Sequence, residues 1–157
     1  MIEQIAIFFN VEMIYLWLNF GVIPFWFILI FFPQSKICGI LVTSIIPPII
    51  LGSIYIYLIY YFFNSGYNFF ENFSLYLSLY DLGTLFEDEA FLILFWVHFL
   101  AINLFCGSWI IGDSQKLNIS KFITFFPLII TYFIGPVGIC LYWLIRIFFA
   151  KKISLFD

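Results

Sequence analysis

Residues 96–119 read WVHFLAINLFCGSWIIGDSQKLNI, an apolar run that carries a histidine and an asparagine and stops at Asp113 and a short polar loop. About 20 such residues are enough to cross a bilayer as a helix. Polar side chains at that depth are costly, usually face the protein interior or a wet cavity, and mark function by default. His98 and Asn103 are therefore expected to point inward, and this helix is the first place to look for chemistry.

Working outward, residues 13–32, 37–63 and 122–149 form three further apolar runs beside the one at 90–111. The chain of 157 residues is 65% hydrophobic, 25% aromatic and 10% charged, with a mean hydropathy of +1.13. Soluble domains carry about 25% charged residues, so this chain has too little charge to coat a surface facing water. The expectation is an all-α, multi-pass integral membrane protein, a four-helix antiparallel bundle forming a single domain over residues 1–157. The first run lacks a basic n-region and a small-residue cleavage site, and so reads as a retained span. No lipidation motif stands at either end. Pro33 to Lys36 and Asp113 to Lys121 are connections short enough to force antiparallel neighbours. The middle connection, Asn64 to Glu89, is long. It holds Glu71, Asp81, Glu87, Asp88 and Glu89 without a lysine or arginine, yet is apolar in part, and residues 67–86 read as an interfacial or partly re-entrant segment.

The formal net charge is −3, and no basic cluster exceeds Lys151 and Lys152, which excludes nucleic acid as a partner. Cys38, Cys106 and Cys140 lack metal-type spacing. With no phosphate-cradling glycine loop and no ligand cluster, neither a metal nor another cofactor is expected. With four spans, Lys36, Lys116 and Lys121 share one side and Arg146, Lys151 and Lys152 the other. The lysine and arginine counts on which orientation depends are thus tied at three each.

At 100° per residue, Glu12, Tyr15 and Asn19 form a polar stripe on the first helix. Trp96, Asn103 and Gly107 form one stripe on the third, and His98, Phe105, Trp109 and Asp113 another. Thr131, Gly135, Gly138 and Tyr142 recur at spacings of four, three and four, with Arg146 at the edge of the same face. That pattern is a small-residue groove with a hydroxyl and a cation. Pro136 is expected to kink the last helix, and Pro47 and Pro48 the second, with Thr43 or Ser44 satisfying the freed carbonyls.

The stretch at 96–119, together with PFWFILIFFPQSKI at 24–37, LGSIYIYLIY at 51–60 and PLIITYFIGPVGICLYWLIR at 127–146, resembles the small four-helix membrane family that includes plant neoxanthin synthase. That family has plant, algal, cyanobacterial and other bacterial members, most without an assigned reaction. Its pattern usually has Asp at the position of Asn103 and often a basic residue at that of Ser108. The resemblance implies a cofactor-free isomerisation of an epoxidised xanthophyll, violaxanthin to neoxanthin, in a thylakoid or plasma membrane. An epoxide opens while a ring-adjacent proton leaves to form an allene, so an acid and a base must converge on one end of the polyene. His98 and Asp113 are the candidate pair, with Glu89 an alternative partner. Trp96, Asn103, Trp109, Thr131, Tyr142 and Arg146 are the candidate substrate-binding residues.

Each residue also has a plainer reading. His98 can be an interhelical hydrogen bonder, and Asp113 the solvated cap of a helix. Glu87, Asp88 and Glu89 suit the start of the third helix through its dipole, and Arg146, Lys151 and Lys152 suit headgroup anchors. The alternative function is therefore a non-catalytic membrane subunit that binds a carotenoid or other long apolar pigment, or scaffolds a larger membrane complex. In that reading His98 faces lipid or ligates a pigment metal. A transporter is disfavoured, since four short helices without repeats leave little room for alternating access.

Overall fold

The computed structural model describes residues 10–151, with backbone alone at 73 and 74. Lys152 lies outside them. Among the described residues six α-helices follow in chain order: α1 Val11–Phe31, α2 Ile46–Asn64, α3 Leu79–Glu87, α4 Glu89–Lys116, α5 Lys121–Phe133 and α6 Gly135–Ala150. A π-helical turn at Cys38–Val42 precedes α2, and a 3-10 turn at Glu71–Tyr76 precedes α3. The fold is all-α, with no strand among the described residues. Three helical segments, Val11–Phe31, Cys38–Asn64 and Glu89–Lys116, are long and apolar enough to cross a membrane. The protein is membrane-associated.

Local chemistry sets the helix ends. The Asn10 side chain accepts from the Met13 amide at 2.8 Å and caps α1. The Asp88 carboxylate accepts from the Phe91 amide at 2.9 Å, so one of the three acids expected at this helix start is its N-terminal cap. Pro47 and Pro48 do not kink a continuous helix. They occupy the first turn of α2, where the missing N–H goes unneeded, while the Ser44 hydroxyl accepts from the Ile46 amide at 3.2 Å. The Thr43 hydroxyl donates to the Cys38 carbonyl at 3.4 Å. The connection between α2 and α4 is helical in part and carries Phe70, Tyr76, Leu77, Leu79 and Tyr80 exposed.

Contacts group the chain into two compact units: residues up to Asn19 with Ile49–Ala101, and Phe20–Pro48 with residues from Ile102 onward. The divisions at 19 and 101 fall inside α1 and α4. In the first unit Ile14, Leu18, Leu51, Leu58, Ile93 and Val97 are buried. In the second, Leu29, Val42, Leu104, Ile110, Leu128 and Tyr142 are.

The largest departure from expectation is in the second unit. The run at 122–149 is not one long helix but two, broken at Ile134 (φ −140°, ψ 79°) and followed by Gly135 and Pro136. Phe125 meets Phe31 at 6.2 Å and Tyr132 meets Trp26 at 5.3 Å between ring centroids. The Gln115 amide donates to the Pro33 carbonyl at 2.8 Å, so α5 descends from the C-terminal end of α4 antiparallel to it. Gly135 then packs on Asn103, and Tyr142 and Arg146 reach Asp113, so α6 climbs back toward that same end. Gly138 and Thr131 would lie about 10 Å apart in one continuous helix. Here a Cβ on Gly138 would collide with the Thr131 backbone and hydroxyl, and one on Gly135 with the Asn103 amide. Lipid-facing apolar surface gives helices little reason to associate, so close backbone approach through small residues takes over that task. The reversal needs both glycines.

Candidate functional site

The hairpin carries the buried polar chemistry of the second unit. On α5 the buried positions are Thr124, Pro127, Leu128 and Thr131; on α6 they are Gly135, Gly138, Tyr142 and Arg146. These are the three- and four-residue spacings of a single helical face on each helix; the α6 series keeps Gly135, Gly138, Tyr142 and Arg146 of the expected stripe, while Thr131 lies on α5. At the outer end of that face the Tyr142 hydroxyl donates to Asp113 Oδ2 at 2.7 Å, and Arg146 Nε donates to the same oxygen at 2.8 Å. The Arg146 and Asp113 side chains are 5% and 12% exposed. Trp109 stands edge-on to Tyr142 at 5.6 Å, and the Arg146 guanidinium lies 5.3 Å over the Trp143 ring.

Two expectations are corrected here. Asp113 is not a solvated cap, since α4 continues to Lys116 and the carboxylate is paired. Nor does Arg146 sit across from Lys116: bonded to Asp113, it stands at the same end of the second unit as Lys36, Lys116 and Lys121. The sequence allowed the mistake because 28 apolar residues can make one span or two half-length helices. The signal for the second choice is Gly-Pro at 135–136 with a further glycine at 138.

At the tip of the hairpin Asn103 is 5% exposed, and its Nδ2 has no hydrogen-bond partner. Thr131 is fully buried, and its hydroxyl donates to the Pro127 carbonyl at 2.7 Å. Gly107 admits the Trp26 ring, which would stand 2.8 Å from an added Cβ, and the Ser108 hydroxyl donates to the Val42 carbonyl at 3.1 Å. Trp26 and Val42 are contacts that sequence reasoning missed, because neither residue type advertises a partner.

The remaining candidates lie in the first unit. Trp96 Nε1 donates to Asn19 Oδ1 at 3.1 Å, and Tyr15 packs on the Trp96 ring at 6.2 Å. Both rings line an open, largely apolar groove of about 590 Å³ with Glu12 and Glu89. His98 does not face the interior: it is exposed, and it lines a second groove of about 390 Å³. Fifteen residues of α4 separate His98 from Asp113, about 22 Å along the axis, so the helix does not bring the two candidate catalytic groups to one reacting centre. Among the described residues no three His, Cys, Asp or Glu side chains converge as metal ligands.

The chain is similar to Protein ABA DEFICIENT 4, chloroplastic, of Arabidopsis thaliana, with 29% identity over 108 residues, 63% of this chain and 46% of that protein. It thus spans less than half the length of that curated relative. No solved structure matches it. A family model described as ABA DEFICIENT 4-like matches residues 13–142, a range that takes in all but the first two residues of α1, and the whole of α4, Asp113, the hairpin turn and Tyr142. The chain belongs to the ABA DEFICIENT 4-like family.

Proposed function

We propose that this is a multi-pass integral membrane protein that binds an oxygenated carotenoid and isomerises an epoxidised xanthophyll, with Asp113, Tyr142 and Arg146 at the reacting end. The observation that carries this reading is the acid–base cluster of α4 and α6, in a chain similar to a chloroplastic relative named ABA DEFICIENT 4. The Tyr142 hydroxyl gives its proton to the epoxide oxygen as the carbon–oxygen bond opens. The Asp113 carboxylate takes the proton from the ring-adjacent carbon, whose electron pair becomes the new double bond of the allene. The proton on Asp113 then returns to the Tyr142 oxygen along their 2.7 Å hydrogen bond, and the site is reset with no co-reactant. Arg146 compensates the negative charge throughout, and Trp109 offers the ring edge of the polyene a flat apolar wall.

The helix lengths support the membrane arrangement. At 1.5 Å per residue, α5 is about 20 Å long and α6 about 24 Å, each short of the roughly 30 Å hydrocarbon layer. The pair therefore enters and leaves on one side as a re-entrant hairpin; its turn buries Gly135 and exposes Ile134, whose amide donates to the Ile130 carbonyl and whose carbonyl accepts from the Gly138 amide. Lys36, Lys116, Lys121, Arg146 and Lys151 gather at that end, and no lysine or arginine precedes Lys36 or lies between it and Lys116. The tie in the charge count disappears, and this end faces the cytoplasm or its equivalent.

The test is to offer violaxanthin to the purified protein in lipid and separate the products by chromatography. The proposal expects an allenic isomer without added nicotinamide, flavin or metal. Tyr142→Phe should lower turnover by about 100-fold or more, the scale of a lost proton-transfer group, while pigment binding persists. Binding without isomerisation of any epoxide offered would support the second reading, a non-catalytic pigment-holding subunit. That reading is favoured by the full burial of Tyr142.

A further inference from the structure

His98 is the only histidine of the chain and stands exposed on a strongly apolar helix, making no hydrogen bond among the described residues. An imidazole placed there without a partner is expensive at membrane depth. Its groove is walled by the rings of Tyr55, Phe69, Tyr76, Phe91 and Phe95. The one amide in the groove is engaged elsewhere, since Asn72 Nδ2 donates to the Tyr67 hydroxyl at 3.1 Å. The aromatic wall is itself ordered. Phe91 and Phe95 stack at 6.4 Å, with Phe86 edge-on to both at 5.2 and 4.8 Å, and Tyr76 edge-on to Phe91 at 6.4 Å.

A single imidazole facing flat apolar rings is poorly equipped for acid–base chemistry, because no carboxylate lines the groove to orient it. It is equally unable to hold a bare metal ion, since no further ligand cluster joins it among the described residues. What it can hold is a metal that arrives with its equatorial positions already filled and needs one axial nitrogen. We propose that His98 is the axial ligand of a metal-centred tetrapyrrole seated in this groove. The volume of about 390 Å³ lies in the usual range for small-molecule sites, and the open side leaves one edge of the macrocycle toward the surroundings. The aromatic walls supply flat apolar contact to the ring, and the Tyr55 and Tyr76 phenols supply donors for polar substituents at its rim. This proposal does not depend on carotenoid isomerisation, and either can fail alone.

Hemin and zinc protoporphyrin, titrated into the full chain in detergent, are the probes. The expected result is a saturable, one-to-one shift of the Soret band away from its position in protein-free detergent, with the spectrum of a single axial imidazole. His98→Ala should abolish the axial signature, and free imidazole should restore it. Loss of a ligand costs at least what loss of its outer hydrogen-bond partner costs, so the apparent Kd should rise about tenfold or more. His98→Gln serves as the second variant, its fold checked by helical circular dichroism. Phe95→Ala should weaken binding while keeping the axial signature. An unshifted Soret band with wild type, or a shift that survives in both His98 variants, overturns the proposal.

Discussion

The two halves of α4 treat their polar residues in opposite ways. Toward its C-terminus Asp113 is joined by a hydroxyl and a guanidinium from α6 and is mostly buried; toward its N-terminus His98 is exposed and makes no hydrogen bond among the described residues. Both sit in the same apolar run and both look, in sequence, like groups that must turn inward. The difference teaches that a polar residue in such a helix is not buried because it is polar. It is buried where another element packs over it, and α6 reaches Asp113 with a hydroxyl and a guanidinium and Asn103 with Gly135.

The largest expected effect comes from breaking that partnership. Asp113→Ala takes away the carboxylate that pairs with the Arg146 guanidinium, 5% exposed, and removing one member of a buried ion pair costs about 3–5 kcal/mol. Thermal unfolding in detergent, followed by helical circular dichroism, should show the drop. Replacing both partners by apolar residues, Asp113→Leu with Arg146→Met, should recover most of it. If the double variant is as unstable as the single one, the pair is not what pins the hairpin to α4.

Next in size is the turn. Gly138→Ala drives a Cβ into the Thr131 backbone, which cannot yield as a flexible side chain would, and overpacking of this kind costs about 1–3 kcal/mol or more. Gly112→Ala is the matched control in α4, where an added Cβ meets nothing within 4 Å. There the better helix propensity should stabilise by about 0.5–1 kcal/mol. Opposite signs from one substitution type would confirm that the hairpin closes through Gly138. Equal effects would contradict the reversal.

Much of this was legible in advance. The all-α class, the three long apolar helices and the stripe of Gly135, Gly138 and Tyr142 are set by period and composition, which local sequence carries; Thr131, expected on that same stripe, stands instead on α5. The reversal at Ile134 was not, because hydropathy has the same value for one long helix as for two half-length ones. The placement of His98 was lost to a simpler error. His98 and Asn103 are five residues apart, about 140° around the helix, so a single buried face holds only one of them. The stripe of Trp96, Asn103 and Gly107 won that face. Its evident reason is Gly107, whose missing side chain admits the Trp26 ring, and Trp26 lies 81 positions earlier in the chain.

The smallest energetic effect gives the sharpest test of topology. Single cysteines at the exposed positions Gln34 and Lys151, in a background lacking Cys38, Cys106 and Cys140, should leave the unfolding midpoint essentially unchanged, since both sites lie beyond helix ends. A reagent that does not cross the membrane should nevertheless label both from the same side, and a cysteine at Asn68 from the opposite one. The reasoning is one of direction: Gln34 follows α1, Lys151 follows α6, and α6 runs back to the end of α4 that the Pro33 carbonyl contacts through Gln115. A four-span bundle makes the contrary demand, because a fourth crossing would put Lys151 on the side of Asn68. Labelling of Lys151 together with Asn68 would therefore refute the re-entrant hairpin, and would return the lysine and arginine count to its tie.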